Sequence, residues 1–415
     1  MLTITFWICI GAVAYHYIGY PLLLFVFSVM AQAKSDLLYL IRRGSRRCPL
    51  PAAYLPRVAL LVSAYNEDAV IAAKVRNVLA LDYPADHLEV LFGLDAPADG
   101  TAQLLKSLQS ERMQVYEFPV RRGKLAVISD LAGRTSAEIL VFTDANTMLD
   151  RDSIRNLVRH FADSRVGAVS GEEIRLAAPG TDPGGESLYW RYESALKVLE
   201  SRLNCSLGGN GAALAVRRSL FHLSKQSIVE DFQIPLDIRF QGHRVVYDPE
   251  AIAVEEITPS FSAQFGRRVR IGAGNYQTLF RSVEYFNPRH GLLTFSFFSH
   301  RVLRWFAPLL LVAAFVCSLL LVTKLDFALL FVAQCVFYAM AGAGYYMKKK
   351  GGRPGALLSI PFHFCLMNVA LLFGLFRYLT GKQTLTWKPT PRELRGEVGQ
   401  GEATARQCED ASLAA

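Results

Sequence analysis

Several common signals are missing from this sequence. The seven cysteines are odd in number and include no C-x-x-C pair, and Cys9, Cys317, Cys335 and Cys365 fall in apolar runs. A thiol there behaves as a small hydrophobe, so neither a disulfide framework nor a zinc site follows. The eight histidines show no ligand spacing. No basic motif interleaved with aromatics is present, so the net charge of +9 carries no nucleic-acid reading. No internal repeat is found. Charge itself is absent from four long stretches: residues 1–33, 305–323, 327–347 and 354–376 contain no Asp, Glu, Lys or Arg.

Each of those stretches is long enough, or nearly so, to cross about 30 Å of hydrocarbon as a helix. The first has neither the basic n-region nor the short h-region of a signal peptide, and is read as an uncleaved anchor. The expected organisation is therefore a transmembrane helix (1–33), a basic juxtamembrane linker (34–56) and a water-facing domain (57–260). A basic, amphipathic interfacial region (261–300), a membrane region of two or three helices (301–380) and a polar Glu-, Gly- and Ala-rich tail (381–415) complete it. Arg42, Arg43, Arg46 and Arg47 follow the first span, and Lys348, Lys349, Lys350 and Arg353 follow the third. By the positive-inside rule these clusters place the large domain in the cytoplasm of a multi-pass cell-membrane protein, and they also suit contact with anionic lipid. Lys324-Leu325-Asp326 is too short for anything but a hairpin between the second and third spans. The fourth stretch has positive charge at both ends and Pro361 inside, which leaves a crossing helix and a broken re-entrant helix both open.

The water-facing domain alternates short apolar runs with helical patterns, the mark of an α/β domain on a mostly parallel sheet. Strands are predicted at 57–64, 88–94, 113–118 and 138–143, with helices at 69–80, 101–110, 124–132 and 153–162. Polar residues stand at the carboxyl ends of the first, second and fourth strands: Tyr65-Asn66-Glu67, Asp95 and Asp144. Ligands of open α/β sheets bind along that edge. Further along come Glu230-Asp231 at a predicted helix start and Arg267, Arg268 and Arg270 in a basic stretch. Together they match the needs of transfer from a nucleoside diphosphate. Oxygen ligands hold a divalent cation beside the leaving group, a carboxylate takes the acceptor's proton, and arginines hold the pyrophosphate.

In this order the motifs resemble the GT-A catalytic domain of family 2 glycosyltransferases, relatives of the cellulose, chitin and hyaluronan synthases, over about residues 56–281. The resemblance implies an α/β, Rossmann-like fold with flanking transmembrane helices. Tyr65, Asn66 and Glu67 would contact the nucleoside and Asp95 the base or ribose. Lys124, in Arg122-Gly123-Lys124, would lie near the donor, which Arg267, Arg268 and Arg270 would also hold. Asp144-Ala145-Asn146 resembles the metal-binding DxD motif and would carry Mg²⁺ or Mn²⁺ on Asp144 and Asn146. Gly209, Asn210, Gly211 and Glu230 would line the acceptor side, and Asp231 would be the base. The implied partners are a nucleotide sugar (a UDP-sugar in the first instance), a glycan or lipid-linked acceptor, membrane lipid and proteins of a surface-polysaccharide pathway.

Two departures stand out. Asn146 replaces the second aspartate of DxD. In Gln264-Phe265-Gly266-Arg267-Arg268, arginine stands where the processive synthases' QxxRW motif has Trp, which counts against long-chain synthesis. Each residue also has a bland reading. Asp144 suits a helix cap, Asp95 a turn, Asp231 a helix N-terminus and Lys124 a helix start. The Gly208–Gly211 loop suits an ordinary turn, and the arginines suit a lipid contact. Rival functions are a processive, exporting polysaccharide synthase and an inactive nucleotide-sugar-binding scaffold. A nucleotidyltransferase would need a glycine-rich phosphate loop after the first strand, where SAYNED stands instead.

Overall fold

The computed structural model describes residues 1–42, 54–108, 110–176, 184–222, 227–256 and 261–382. Arg43, Arg46 and Arg47, with about half of the basic linker, and nearly all of the polar tail lie outside the described residues.

Eight strands form one sheet: β1 (Val58–Ala64), β2 (Leu88–Asp95), β3 (Met113–Phe118), β4 (Ile139–Asp144), β5 (Thr147–Leu149), β6 (Val166–Leu176), β7 (Leu214–Arg217) and β8 (Arg244–Glu256). Their order is β3-β2-β1-β4-β7-β6-β8-β5. The four strands read from the sequence form the parallel half. The other half departs from the expected mostly parallel sheet, because β7 runs antiparallel to both β4 and β6, and β5 antiparallel to β8.

β1 is buried at every residue, which its unbroken apolar run requires of a central strand covered on both faces. Val58, Leu60 and Val62 face helices Asp68–Leu79 and Ser153–Arg159, through Ile71, Val75, Ile154 and Leu157. Ala59 and Leu61 face helices Lys124–Gly133 and Glu230–Phe240, through Val127, Leu131, Ile234 and Ile238. The period of two therefore divides the core into two layers and delivers the strand ends to one edge.

Four helical segments are long and apolar enough to cross a membrane: Leu2–Ile41, Leu292–Leu320, Leu325–Lys349 and Ala356–Leu379. The last is one continuous helix despite Pro361, so the described backbone has no break there. It packs along helix Phe261–Arg281 through glycines, with a Cβ at Gly374 falling 2.8 Å from the backbone of Gly272 and Ala273. Helix Glu230–Phe240 sits directly on this bundle, Phe232 meeting Trp305 edge to face at 5.9 Å. A second joint binds the sheet domain to the first segment. Helix Gly184–Arg202 offers Glu200 to Tyr20 (2.8 Å) and His300 (2.6 Å), and Glu193 to Arg304. Both partner segments are locally π-helical there, at Tyr15–Gly19 and Phe297–Val302, a distortion that turns side chains out of the regular helical register.

The glycine seam gives a paired test. Gly374→Val should lower the thermal midpoint in detergent, by about 1–3 kcal/mol for overpacking. Gly342→Ala, where nothing lies within 4 Å of the new Cβ, should be neutral. Equal effects at the two positions would remove the seam from the account.

Candidate active site

The loops after β1 and β2 are tied together before they reach any ligand. Asn66 and Ala96 both adopt positive φ, 54° and 53°, and the Asn66 side-chain oxygen accepts from the Ala98 amide at 2.8 Å. The Glu67 amide donates to Thr101 Oγ1 at 2.9 Å, and the Arg121 guanidinium lies 3.6 Å over the Tyr65 ring. Asp95 is fully buried, and its two carboxylate oxygens accept from the amides of Arg122 (2.7 Å) and Gly123 (2.8 Å). Gly123 has φ 93°, a conformation that side chains avoid. Asp95 thus fastens the turn that launches helix Lys124–Gly133 and sets the position of Lys124.

Lys124 is the centre of the cluster. Its Nζ lies 2.6 Å from Asp144 Oδ1, at the end of β4, and 2.8 Å from Glu230 Oε1, at the start of helix Glu230–Phe240. Burial alone would lower the ammonium's pKa, but Asp144 and Glu230 outweigh it and raise it. Burial likewise would raise the Glu230 carboxyl, and Lys124 reverses this, holding it below its usual range. Among the described residues, Asp231 has no ion-pair partner of this kind. Burial, then the neighbouring Glu230 charge, push its carboxyl up to about 6, against opposing pulls from Lys124 and Arg270. Gly211 makes the approach possible. A Cβ there would stand 3.3 Å from Lys124 Nζ and 3.4 Å from the Asp231 Cβ. The Gly209 amide donates to the Asp231 carbonyl at 2.9 Å, and the buried Asn210 accepts from Ala212 at 3.0 Å, which shapes the same loop.

A second group adjoins the first. The Asn146 side-chain nitrogen donates to Glu255 Oε1 at 2.7 Å, and Glu255 accepts from Arg267 Nη1 at 2.8 and 3.0 Å. Burial would raise the Glu255 carboxyl, and Arg267 overcomes this and holds it far below the carboxylate range. Arg270, one turn further along helix Phe261–Arg281, donates to the Ile228 carbonyl at 3.3 Å, just ahead of Glu230. Arg268 is about 100° round the helix from Arg267, on a different face.

The structure therefore brings Lys124, Asp144, Gly211, Glu230 and Asp231 together, with Arg270 beside them. It sets Asn146 and Arg267 against Glu255. Tyr65, Asn66, Glu67 and Asp95 form the adjoining loop edge, coupled to the cluster through Gly123.

Two residues escaped the sequence reading. Lys74 is fully buried, and donates to Thr143 Oγ1 at 3.0 Å and the Thr147 carbonyl at 2.5 Å, on either side of Asp144-Ala145-Asn146. Burial lowers its pKa to about 7, opposed by Asp144. Its signal was a lysine on the apolar stripe Ile71-Val75-Val78 of an amphipathic helix. Glu255, on β8, had no local signal, since its partners are 109 and 12 residues away in sequence.

The mixed sheet thus carries carboxylates converging at its parallel edge, beside a lysine and arginines. Residues 56–274 match the family model described as glycosyltransferase like family 2. That is more than half of the chain, and the protein belongs to this family. It is 27% identical over 237 residues to the beta-monoglucosyldiacylglycerol synthase of Synechocystis sp., covering 54% of this chain and 48% of that one. It is 24% identical over 242 residues to the poly-beta-1,6-N-acetyl-D-glucosamine synthase of Staphylococcus aureus, covering 55% and 56%. The matches thus span about half the length of these curated relatives. Among solved structures, the mannosyltransferase PcManGT from Pyrobaculum calidifontis, in complex with GDP-Man and Mn²⁺, superposes with a TM-score of 0.68 at 22% identity, covering 91% of this chain and 100% of that one. The fold is GT-A.

The raised Asp231 pKa has a stability consequence. Between about 3.8 and about 6 the folded protein holds a proton that the unfolded chain has released. Stability is therefore lost as pH rises through this window. Asp231→Asn should raise the thermal midpoint at pH 7 and leave it unchanged near pH 4, the gain being at most on the order of 3 kcal/mol. A loss of stability at pH 7 would show that Asp231 is not held against its charge.

Proposed function

We propose that this protein is a membrane-embedded, inverting glycosyltransferase that moves one sugar from a nucleotide sugar, a UDP-sugar in the first instance, onto a lipid or lipid-linked glycan acceptor at the cytoplasmic face. The observation that carries the reading is the Lys124 bridge. One ammonium joins Asp144, on the strand edge where the donor would lie, to Glu230, next to Asp231 on the opposite wall.

Asp231 is the base. It is adjacent to an ionised carboxylate, and its pKa of about 6 is close to working pH, which suits a group that must be ionised and still accept a proton. It removes the acceptor hydroxyl's proton as that oxygen attacks the anomeric carbon. The nucleoside diphosphate leaves from the opposite face through an oxocarbenium-like state, with inversion. Lys124 and Arg270 place positive charge where the leaving diphosphate gains negative charge. Tyr65, Asn66, Glu67 and Asp95 shape the nucleoside end, Asp95 by fixing the Gly123 turn.

A divalent cation fits this site as one carried in by the donor. Asp144 keeps 29% of its side chain exposed, and no cluster of three acidic, His or Cys ligands exists among the described residues. Asp144 and the Asn146 amide oxygen would hold it, the diphosphate completing its oxygen shell. When bound, Mg²⁺ or Mn²⁺ supplies charge neutralisation to the leaving group.

The acceptor side supports a lipid. Helix Glu230–Phe240 rests on the apolar bundle through Phe232 and Trp305, so an acceptor held in the membrane reaches Asp231 without leaving it. The basic clusters at Lys348–Lys350 and Arg353 support a cytoplasmic placing of the sheet domain.

The test is transfer of radiolabelled sugar, from a panel of UDP- and GDP-sugars, to membrane lipids by the detergent-purified protein. One added sugar per acceptor is expected with Mn²⁺ and none after EDTA. Asp231→Asn should lose about 10² to 10⁴ in kcat while retaining donor affinity. Transfer by that variant within a few-fold of wild type would remove Asp231 as the base, and a polymeric product would favour the processive reading.

A further inference from the structure

The loop after β4 carries asparagine where the family motif has a second aspartate, and the structure shows what stands against it. Glu255 lies at 2.7 Å from the Asn146 nitrogen with its side chain 8% exposed. It cannot drift. Thr147, the residue after Asn146, pairs with Glu255 in the antiparallel register of β5 and β8, and Arg267 clamps the carboxylate through two contacts. A primary amide has its oxygen and nitrogen on opposite sides of one carbon. Committing the nitrogen to Glu255 therefore turns the oxygen away from it, out of the strand pair. An aspartate at position 146 would instead set two carboxylates in contact, an arrangement in which both cannot be comfortably ionised.

We propose that Glu255 is the positioning residue of the metal-side loop: it orients the Asn146 amide so that its carbonyl oxygen is presented, and it is the reason that position 146 holds asparagine. The inference rests on the reading of Asp144 and Asn146 as the protein's ligands to the donor's cation. The negative charge that the motif lacks at position 146 is kept behind it, on Glu255, where it also sets the guanidinium of Arg267.

The chemistry allows a reciprocal exchange. Glu255 Oε1 accepts from both the Asn146 nitrogen and Arg267, so a glutamine oxygen at that place keeps both contacts. In Glu255→Leu the Asn146 amide loses this acceptor and with it its set orientation. In the double variant, Asn146→Asp with Glu255→Gln, the new aspartate accepts from the new glutamine amide and again has an oxygen facing outward.

Five full-length proteins in detergent decide the matter: wild type, Asn146→Asp, Glu255→Leu, Glu255→Gln and the double variant. Thermal midpoints in EDTA report the contact without metal or activity. Asn146→Asp should melt below wild type, and the double variant should recover most of that loss. Mn²⁺ titration followed by electron paramagnetic resonance reports the positioning. Glu255→Leu should weaken Mn²⁺ binding about tenfold, as loss of an orienting partner does, while Glu255→Gln and the double variant should stay within about threefold of wild type. Additive midpoints in EDTA overturn the proposal. So does a recovery of the midpoints with unchanged Mn²⁺ affinity in Glu255→Leu, which would make the contact merely structural. Wild-type protein that binds Mn²⁺ but transfers no sugar from any donor defeats the glycosyltransferase reading alone, since both measurements remain readable without turnover.

Discussion

The ammonium of Lys124 bridges two walls that the core already packs together, and supplies the positive charge where their carboxylates meet. Asp144 ends a strand of the parallel half-sheet, whereas Glu230 begins a helix seated on the apolar bundle. Three carboxylates in one half-buried cleft repel one another at a cost that burial magnifies. The lysine pairs with two of them, while burial first, and then the Glu230 charge, leave the third, Asp231, with a raised pKa. The remaining parts of the site support that arrangement. Asp95 grips the turn that places Lys124, Gly211 clears the space for it, and Lys74 braces the strand end that presents Asp144.

The same arrangement joins the sheet domain to the apolar helices. Phe232, next to Asp231, packs on Trp305, and the Arg301 guanidinium lies 5.4 Å from the Phe232 ring. Glu193 and Glu200, from a helix of the sheet domain, are buried against His300 and Arg304. Buried ion pairs add little net stability but penalise other arrangements strongly. Such a joint fixes how the cleft sits on the apolar helices, as the proposed lipid acceptor requires.

The sequence made the parallel half of the fold legible because central strands with unbroken apolar runs and short βα connections carry their own signal. RVALLVSA and EILVFT are of this kind, and the polar residues at their ends marked the cleft. The mixed half, in which β6 and β8 pair in parallel and β5 and β7 run antiparallel to their neighbours, was not legible. β8 has Asp248, Glu250, Glu255 and Glu256 within it, and β5 is only three residues long, so neither shows a strand period. The site followed the same division. Asp144, Glu230 and Asp231 were visible as acids at element boundaries, whereas the clamp on Asn146 depends on a strand register that no local pattern encodes. Asp95 was read as a nucleoside contact, and the structure gives it a further task as the anchor of the Gly123 turn.

The central claim is that Lys124 sets the charge of the cleft and thereby the working range of Asp231. The pH dependence of kcat/KM, measured for wild type and for Lys124→Gln, tests it most directly. The wild type should lose activity on the acid side with an apparent pKa near the value of about 6 held by Asp231. Removing the ammonium removes an influence that favours the ionised carboxylate, so the residual activity of Lys124→Gln should show that acid limb displaced to higher pH. An acid limb at the same pH in both proteins, or one near the ordinary aspartate range in the wild type, would contradict the account.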